Sequence, residues 1–467
     1  MKKIQISLFA LLLASSLYGQ EDTTTYNYTE NLFLYGSEAT YGSARLRGMG
    51  GSMAALGGDL TASQTNPAGL GLFQTSVIEG SLNNLATDQS TSHLGLNSKG
   101  NENKFDLLGT VGGAIQFEGR EGGPFKSYTL GVVSSNTSNV KTDLFINGNP
   151  SGPSANFGGY QYSETGTARK TSINLAANQN DQFYVGAGLN LYNTNNETFS
   201  LYNYVGGGKN SDGTTYTINE FNDKQGFPYH ERSSGVSASI GFIAKIDQTF
   251  RVGASYQSPT WKQVEREEVF YEPSYEPTTY LSEYNTTTPG KFTVAAAAVI
   301  GKSLAINAEY SYQNWENANF KPSGNFKNEN NFIGDFLGET NSYRIGAEAR
   351  HENWRVRAGY RFDESPFKNA TIILPEVKEN GQTPATPELD QPYQAFGDLS
   401  GFSIGVGYDA QRWYADLAYQ RYTQTRDIAV FGTHYSNVAD ATYDRTEQVF
   451  RLDQNFDNIT ATLGLRF

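Results

Sequence analysis

Arg344, Glu348 and Arg350 share one face of an alternating stretch whose other face is Tyr343, Ile345, Ala347 and Ala349. Arg355, Arg357 and Arg361 stand in the same way opposite Trp354, Val356, Ala358 and Tyr360. With the apolar faces turned to lipid, these guanidinium groups form a basic ladder on the opposite wall. Guanidinium binds carboxylate through two parallel hydrogen bonds, so Arg344 and Arg357 are candidates for holding an acidic ligand. The preferred use of the ladder is structural, as ion pairs with acidic residues such as Asp59, Glu309 or Asp416. Bond-making chemistry has no comparable constellation. There is no nucleophile elbow, and His93, His230, His351 and His434 are scattered, which points away from a triad or a metal centre. The absence of cysteine excludes disulfide frameworks, thiol chemistry and the strongest class of zinc site. The expectation is a protein that is not an enzyme and needs no cofactor.

The elements that would position this ladder are strands with a two-residue rhythm. Ile459, Ala461, Leu463, Leu465 and Phe467 alternate with Thr460, Thr462, Gly464 and Arg466. Phe183, Val185, Ala187, Leu189 and Leu191 follow a turn at Asn178 to Asp181, with Tyr184, Gly186, Gly188 and Asn190 facing inward. Val236 to Ile246 turns at Asp247-Gln248 into Phe250 to Tyr256, and Leu304 to Tyr310 follows Gly301-Lys302. About fourteen such strands are legible, the first near Ser76 to Leu82. Tight turns alternate with long polar connections, at about Asn193 to Ser234, Lys262 to Gly290, Glu316 to Thr340 and Asp363 to Ser400. That alternation is the signature of an all-β transmembrane antiparallel barrel with short periplasmic turns and long extracellular loops. A propeller would repeat every 40 to 50 residues, roughly, and no such repeat is present.

Composition agrees. A hydrophobic content of 37 % and a mean hydropathy of -0.52 are low for a chain of 467 residues with 30 Tyr and 28 Phe, as expected when half of each strand faces water. Behind the first residues no apolar run approaches the roughly 18 needed for a helix across a bilayer, so only a closed barrel would span. A net charge of -13 argues against nucleic acid as a partner. Lys2 and Lys3, an apolar stretch from Ile4 to Leu17, and the small residue Gly19 make residues 1–20 an expected signal peptide. Residues 75–467 are then the barrel, placed in the bacterial outer membrane with lipid around it, and probing for partners would find a monomer.

A lumen enclosed by about fourteen strands must be filled, narrowed or left open. Residues 21–74 supply a filler, a hatch or plug inside the lumen. Its small-residue core includes Gly42-Ser43-Ala44-Arg45, Gly48-Met49-Gly50-Gly51, Ala54-Ala55, Gly57-Gly58-Asp59 and Asn66-Pro67-Ala68-Gly69-Leu70. Pro67 fixes φ and lacks a donor, Asn66 before it is pushed towards extended geometry, and Ala68-Gly69 allow close backbone packing. The chain is therefore expected to turn sharply at Asn66, Pro67, Ala68 and Gly69, which by itself is an ordinary Asn-Pro turn leading into a strand; their candidacy as gating residues comes from the resemblance named next. Gly48-Met49-Gly50 is no nucleotide loop, because Met53 breaks G-x-G-x-x-G and no strand precedes it.

This segment resembles the N-terminal hatch of the FadL-type outer-membrane transporters of long-chain fatty acids and other hydrophobic compounds, which include toluene transporters. Gly253 to Pro259, the strands around Trp315, and Tyr343-Arg344-Ile345-Gly346 running into Arg357-Ala358-Gly359-Tyr360 resemble the family too. The resemblance implies a fourteen-stranded barrel with passive uptake of long-chain fatty acids or aromatic hydrocarbons. It also implies a surface groove between extracellular loops, a hatch that moves with ligand, and a gap in the wall near the third strand, with a kink guessed at Gly131. In this chain the groove would draw on Phe199, Tyr202, Phe221, Phe227, Phe270 and Tyr271, whose rings bury large apolar area at small entropic cost. The alternative is a barrel that transports nothing and docks proteins, like the accessory barrel of the type IX secretion machine.

Overall fold

Alternation becomes a wall with an apolar outside and a polar inside. The computed structural model describes residues 28, 31–33, 42–93, 96–147, 157–209, 215–220, 229–270, 278–301, 303–369, 394–429 and 449–467. The expected signal peptide at residues 1–20 lies outside the described residues.

Fourteen antiparallel strands close the barrel. They are β1 (Val77–His93), β2 (Leu96–Glu118), β3 (Ser127–Asn147), β4 (Phe157–Gln179), β5 (Phe183–Lys209) and β6 (Tyr229–Lys245). Next come β7 (Phe250–Gln257 with Thr260–Phe270), β8 (Thr278–Thr288 with Lys291–Ile300), β9 (Leu304–Asn314) and β10 (Glu339–His351). The wall is completed by β11 (Trp354–Asp363), β12 (Gln394–Asp409), β13 (Trp413–Ala429) and β14 (Val449–Arg466). β7 and β8 are each interrupted once, at Ser258-Pro259 and at Pro289-Gly290, because proline has no amide to give the ladder. Two short strands, Thr215–Glu220 and Asn319–Lys321, pair on the rim. β1 closes the cylinder by pairing with β2 and β14, with Val77 opposite both Ala114 and Arg466.

The outer face carries Ile78, Ile115, Val132, Leu175, Leu189 and Ile345, all exposed. Such a belt is stable only against lipid, and closure of the sheet between β1 and β14 removes its outer edges, so this is a transmembrane barrel of the outer-membrane type. Trp354, Tyr408 and Trp413 pack together at the short-turn rim, the first pair edge-to-face and the second tilted, with centroids 5.1 and 5.7 Å apart, forming part of an aromatic girdle. The tight turns have local causes. Asn180 and Asp181 take left-handed φ values of 54° and 59°, and the Asp181 amide donates to Asn178 Oδ1 at 2.8 Å. At the next turn Asp247 Oδ1 accepts from the amides of Thr249 and Phe250, both at 2.7 Å.

The expected long loops are corrected in one respect. Much of Asn193 to Ser234 and Lys262 to Gly290 is strand, and β5 runs for 27 residues. About 9–11 residues cross a bilayer, so the barrel rises well beyond the membrane on the side away from the tight turns. β1 and β2 likewise run up to His93 and Leu96, which pair directly.

Candidate functional site

Residues 42–75 lie inside the barrel, low in the lumen. Ser43 caps the short helix Ala44–Gly48 by accepting from the Leu46 amide at 3.1 Å. Asp59 then holds four groups of this segment, accepting from Ser43 Oγ and Thr61 Oγ1 at 2.7 Å each and from the Thr61 and Ala62 amides at 2.9 and 3.0 Å. It is thereby an internal cap rather than a partner for the ladder. Asn66 is extended (φ -131°, ψ 103°) and caps the 3-10 helix Pro67–Leu72, its Oδ1 accepting from the Ala68 amide at 3.1 Å. Its Nδ2 donates to the Ala54 carbonyl at 2.8 Å and to the Phe242 carbonyl of β6 at 3.1 Å. The side chain of Asn66 thus ties one hatch turn to another and to the wall. Pro67, Ala68 and Gly69 are buried directly behind it.

The wall admits this segment because it presents glycines to it. A Cβ on Gly186 would lie 2.4 Å from the Ala68 amide nitrogen, and one on Gly346 would lie 2.3 Å from the Met49 carbonyl oxygen. On the paired strand, a Cβ on Gly359 would lie 2.2 Å from the Gly50 nitrogen. Gly50 and Gly51 take φ values of 65° and 78°, so the Gly-rich motif makes a left-handed turn seated on a glycine floor. These wall glycines escape sequence reading because a strand glycine usually marks nothing more than a bulge or a weak spot.

Charge fixes the hatch from the other side. Glu348 of β10 accepts from Arg45 of the hatch at 2.9 Å and from Arg357 and Arg350 at 2.7 Å each. Arg357 also reaches Asp416 at 2.6 Å, and Arg344 pairs with Glu309 at 3.3 Å. Glu309 in turn accepts from the Ala54 amide of the hatch at 3.1 Å. The ladder is therefore an ion-pair network in which Arg357 is buried low in the wall, while Arg344 also lines the lumen above.

That lumen holds a cavity of about 290 Å³. Its floor includes Gln420, which donates to the Arg47 carbonyl of the hatch at 3.2 Å. Its roof includes Phe33, Trp315 and Phe396, and Arg344, Arg361 and Arg426 stand along its sides. One flank is Ser138 to Thr142 of β3. Among the described residues the β2–β3 ladder runs only from Thr110↔Ser135 to Glu118↔Ser127. Above it no ladder joins the two strands. β3 is bulged between Asn136 and Ser138, and Leu108 of β2 sits at φ 132°, strained for a residue with a side chain. Side chains span the seam instead. Asn136 donates to Asp106, Lys141 pairs with Glu102, and Arg169 donates to the Leu108 carbonyl at 2.7 Å. Phe105, Leu107 and Leu108 are exposed on its outer lip. The lapse is thus not at Gly131, which is paired on both sides, with Ala114 and Asn174.

The aromatic candidates fare differently. Phe199 lies in the outward-facing register of β5, away from the cavity. Phe221, Phe227 and Tyr271 lie outside the described residues, as do the side chains of Tyr202 and Phe270. The rings that do line the cavity, Phe33, Tyr312, Trp315, Phe396, Tyr422 and Phe456, come from stretches of the chain spread between residues 33 and 456, and none of them was among the sequence candidates.

At the upper mouth Tyr28, Leu32 and Phe33 are buried in an aromatic cluster with Tyr284, Trp315, Phe320 and Phe326. Burial pushes the Tyr28 phenol above its usual range, with Arg266 opposing.

No family model and no curated protein matches this chain. Solved structures do. A Pseudomonas aeruginosa FadL homologue superposes with a TM-score of 0.56 at 12 % identity, over 92 % of this chain and 100 % of that one. The Ralstonia pickettii toluene transporter TbuX gives 0.57 at 15 %, over 92 % and 99 %. The Pseudomonas putida toluene transporter TodX gives 0.55 at 14 %, over the same shares.

Proposed function

The chain has the fold of the FadL-type transporters, and from that premise we propose that it is an outer-membrane channel for passive uptake of hydrophobic compounds. The observation that carries this reading is the placement of the cavity. It lies above residues 42–75, which pack inside the lower barrel, and beside the stretch of β3 that has no ladder to β2. A compound held there is stopped below and faced sideways by a seam with apolar lips. Apolar cargo gains by leaving into the bilayer, at about 25 cal/mol per Å² of surface moved out of water. No energy source is required.

The finer reading is that long-chain fatty acids are among the cargo. Arg344, Arg361 and Arg426 line the cavity together with Leu85, Val140 and Phe456, which suits a carboxylate with an alkyl tail. Aromatic hydrocarbons, the cargo named for TbuX and TodX, would use the rings alone. The test is uptake of labelled oleate and labelled toluene by cells lacking other barrels of this kind, with the intact chain and with Arg361→Gln. Entry of both, with only oleate slowed by the variant, supports the reading. Entry of neither through a folded barrel overturns it in favour of a docking role.

A further inference from the structure

The tight-turn end of the lumen carries more positive charge than its carboxylates balance. Lys245 ends β6, Arg251 lies at the start of β7, and the two stand directly opposite each other on the inner face. Arg350 and Arg355 are likewise direct partners where β10 turns into β11. Like charges opposite one another on one face of a sheet are destabilising. The acids at this rim are already committed. Lys245 and Arg251 form no ion pair among the described residues, while Asp181 on the turn before β5 pairs with Lys126 at 2.5 Å and Asp247 accepts from the amides of its own turn. Arg350 shares Glu348 with Arg45 and Arg357, and Arg355 shares Asp409 with Arg466. Two of the cations also hold the hatch, Arg251 donating to the Leu56 carbonyl at 3.1 Å and Arg45 to the Gly58 carbonyl at 2.7 Å. Gly58 is only partly buried, and nothing lies within 4 Å of where its Cβ would be, so the hatch is open to the mouth at this turn.

We propose that this basic arc docks an acidic, extended segment of a periplasmic protein against the underside of the hatch. The tight turns of such barrels face the periplasm, so the arc is presented there. From Lys245 on β6 to Arg355 on β11 it follows the wall across β7, β8, β9 and β10, about 24 Å at about 4.8 Å per strand. A lone carboxylate or phosphate would meet one end of it. About seven residues of extended chain, at about 3.3 Å each, cover it all. Acidic side chains on such a segment relieve both like-charge pairs at once, and its backbone lies over the open turn at Gly58. Lipid headgroups fit less well, because the outward positions beside the arc are the exposed apolar residues Ile246 and Phe250, while the cations face the lumen. The inference needs only the barrel and its orientation, and does not depend on the transport reading.

The probe is fluorescein-labelled octaglutamate, its binding to the folded barrel in dodecyl maltoside read by anisotropy at low salt. Lys245→Gln with Arg355→Gln removes the two ends of the arc and leaves Arg251 and Arg45 on the hatch. Arg232→Gln with Arg421→Gln removes as much charge from exposed positions elsewhere and is the control. The intact barrel should bind octaglutamate and not octalysine. Affinity should be about threefold to thirtyfold weaker in the arc variant, unchanged in the control, and lower as salt screens the charges. Absence of binding overturns the inference, as does equal weakening by the control or full affinity in an arc variant that retains its heat-modifiable mobility. Should the double variant lose that mobility, Lys245→Gln alone, which breaks no ion pair, carries the same test. Displacement by tripolyphosphate or dihexanoyl phosphatidylglycerol as strong as that by unlabelled octaglutamate, at equal charge, marks a small-anion or headgroup site and also overturns it. If octaglutamate binding follows the arc while neither oleate nor toluene enters cells, the transport reading falls and the docking surface stands.

Discussion

Replacing Gly359 by Ala should unseat the hatch while leaving the barrel standing. The new Cβ would fall 2.2 Å from the Gly50 nitrogen, 2.4 Å from the Met49 carbonyl carbon and 2.7 Å from Gly50 Cα. Ordinary contact begins near 3.4 Å, so the hatch turn must retreat by about 1 Å, and overpacking of this kind costs about 1–3 kcal/mol. A shift of that size also stretches the bonds from Ser403 Oγ to the Gly48 carbonyl (3.2 Å) and from Asn307 Nδ2 to Ser52 Oγ (2.7 Å). Each is worth about 0.5–1.5 kcal/mol net. The sum is about 2–6 kcal/mol against the seated segment, a population shift of roughly 30-fold to 25,000-fold. The wall itself is spared, because Gly359 meets Gly346 and Ser403 through backbone alone. Conductance of single barrels in planar bilayers is the assay, with Gly324→Ala as control, since nothing lies within 4 Å of a Cβ there. Frequent large openings in Gly359→Ala and none in the control are expected. A folded Gly359→Ala barrel with intact-type conductance and an equally protease-resistant hatch would refute the argument that absent side chains seat the plug.

Glu348→Gln removes the shared anion of three arginines, Arg45, Arg350 and Arg357. Breaking a buried pair from one side costs about 3–5 kcal/mol, so hatch protection against hydrogen exchange should fall while strand protection persists. Asn66→Ala removes a cap and two further bonds. It should destabilise the hatch by about 1–3 kcal/mol, seen as a lower temperature for proteolytic cutting near residue 66. Arg361→Gln should raise the KM for oleate entry and leave that for toluene unchanged, measured as initial uptake rates.

The barrel was legible from sequence wherever strands cross lipid, because only there must every second residue be apolar. Ile459 to Phe467 and Phe183 to Leu191 show it plainly. Higher up, both faces of β5 meet water or other polar groups, the rhythm fades from Asn193 onward, and strand reads as loop. The turns of the N-terminal segment were legible because their constraints are local: Asn66 caps two residues ahead, and Gly50-Gly51 turn in place. Their glycine floor was not, since Gly186, Gly346 and Gly359 have their reason in a segment more than a hundred residues away. The ladder was read as ion-paired, and Glu309 and Asp416 are indeed its partners, but Asp59 is spent inside the hatch. One available signal was missed. Leu107-Leu108, two adjacent outward leucines, breaks alternation and marks the bulge beside the seam.

The seam is the most direct point of test. Glu102→Cys with Lys141→Cys replaces the ion pair across the unladdered stretch, and cross-linking the two thiols pins β2 to β3, with the reduced double-cysteine barrel as the control for the altered cavity flank at Lys141. Initial uptake of labelled toluene should fall at least tenfold in the cross-linked barrel and return on reduction. Undiminished uptake through a barrel shown to be fully cross-linked would contradict lateral exit and leave the lumen below the hatch as the route.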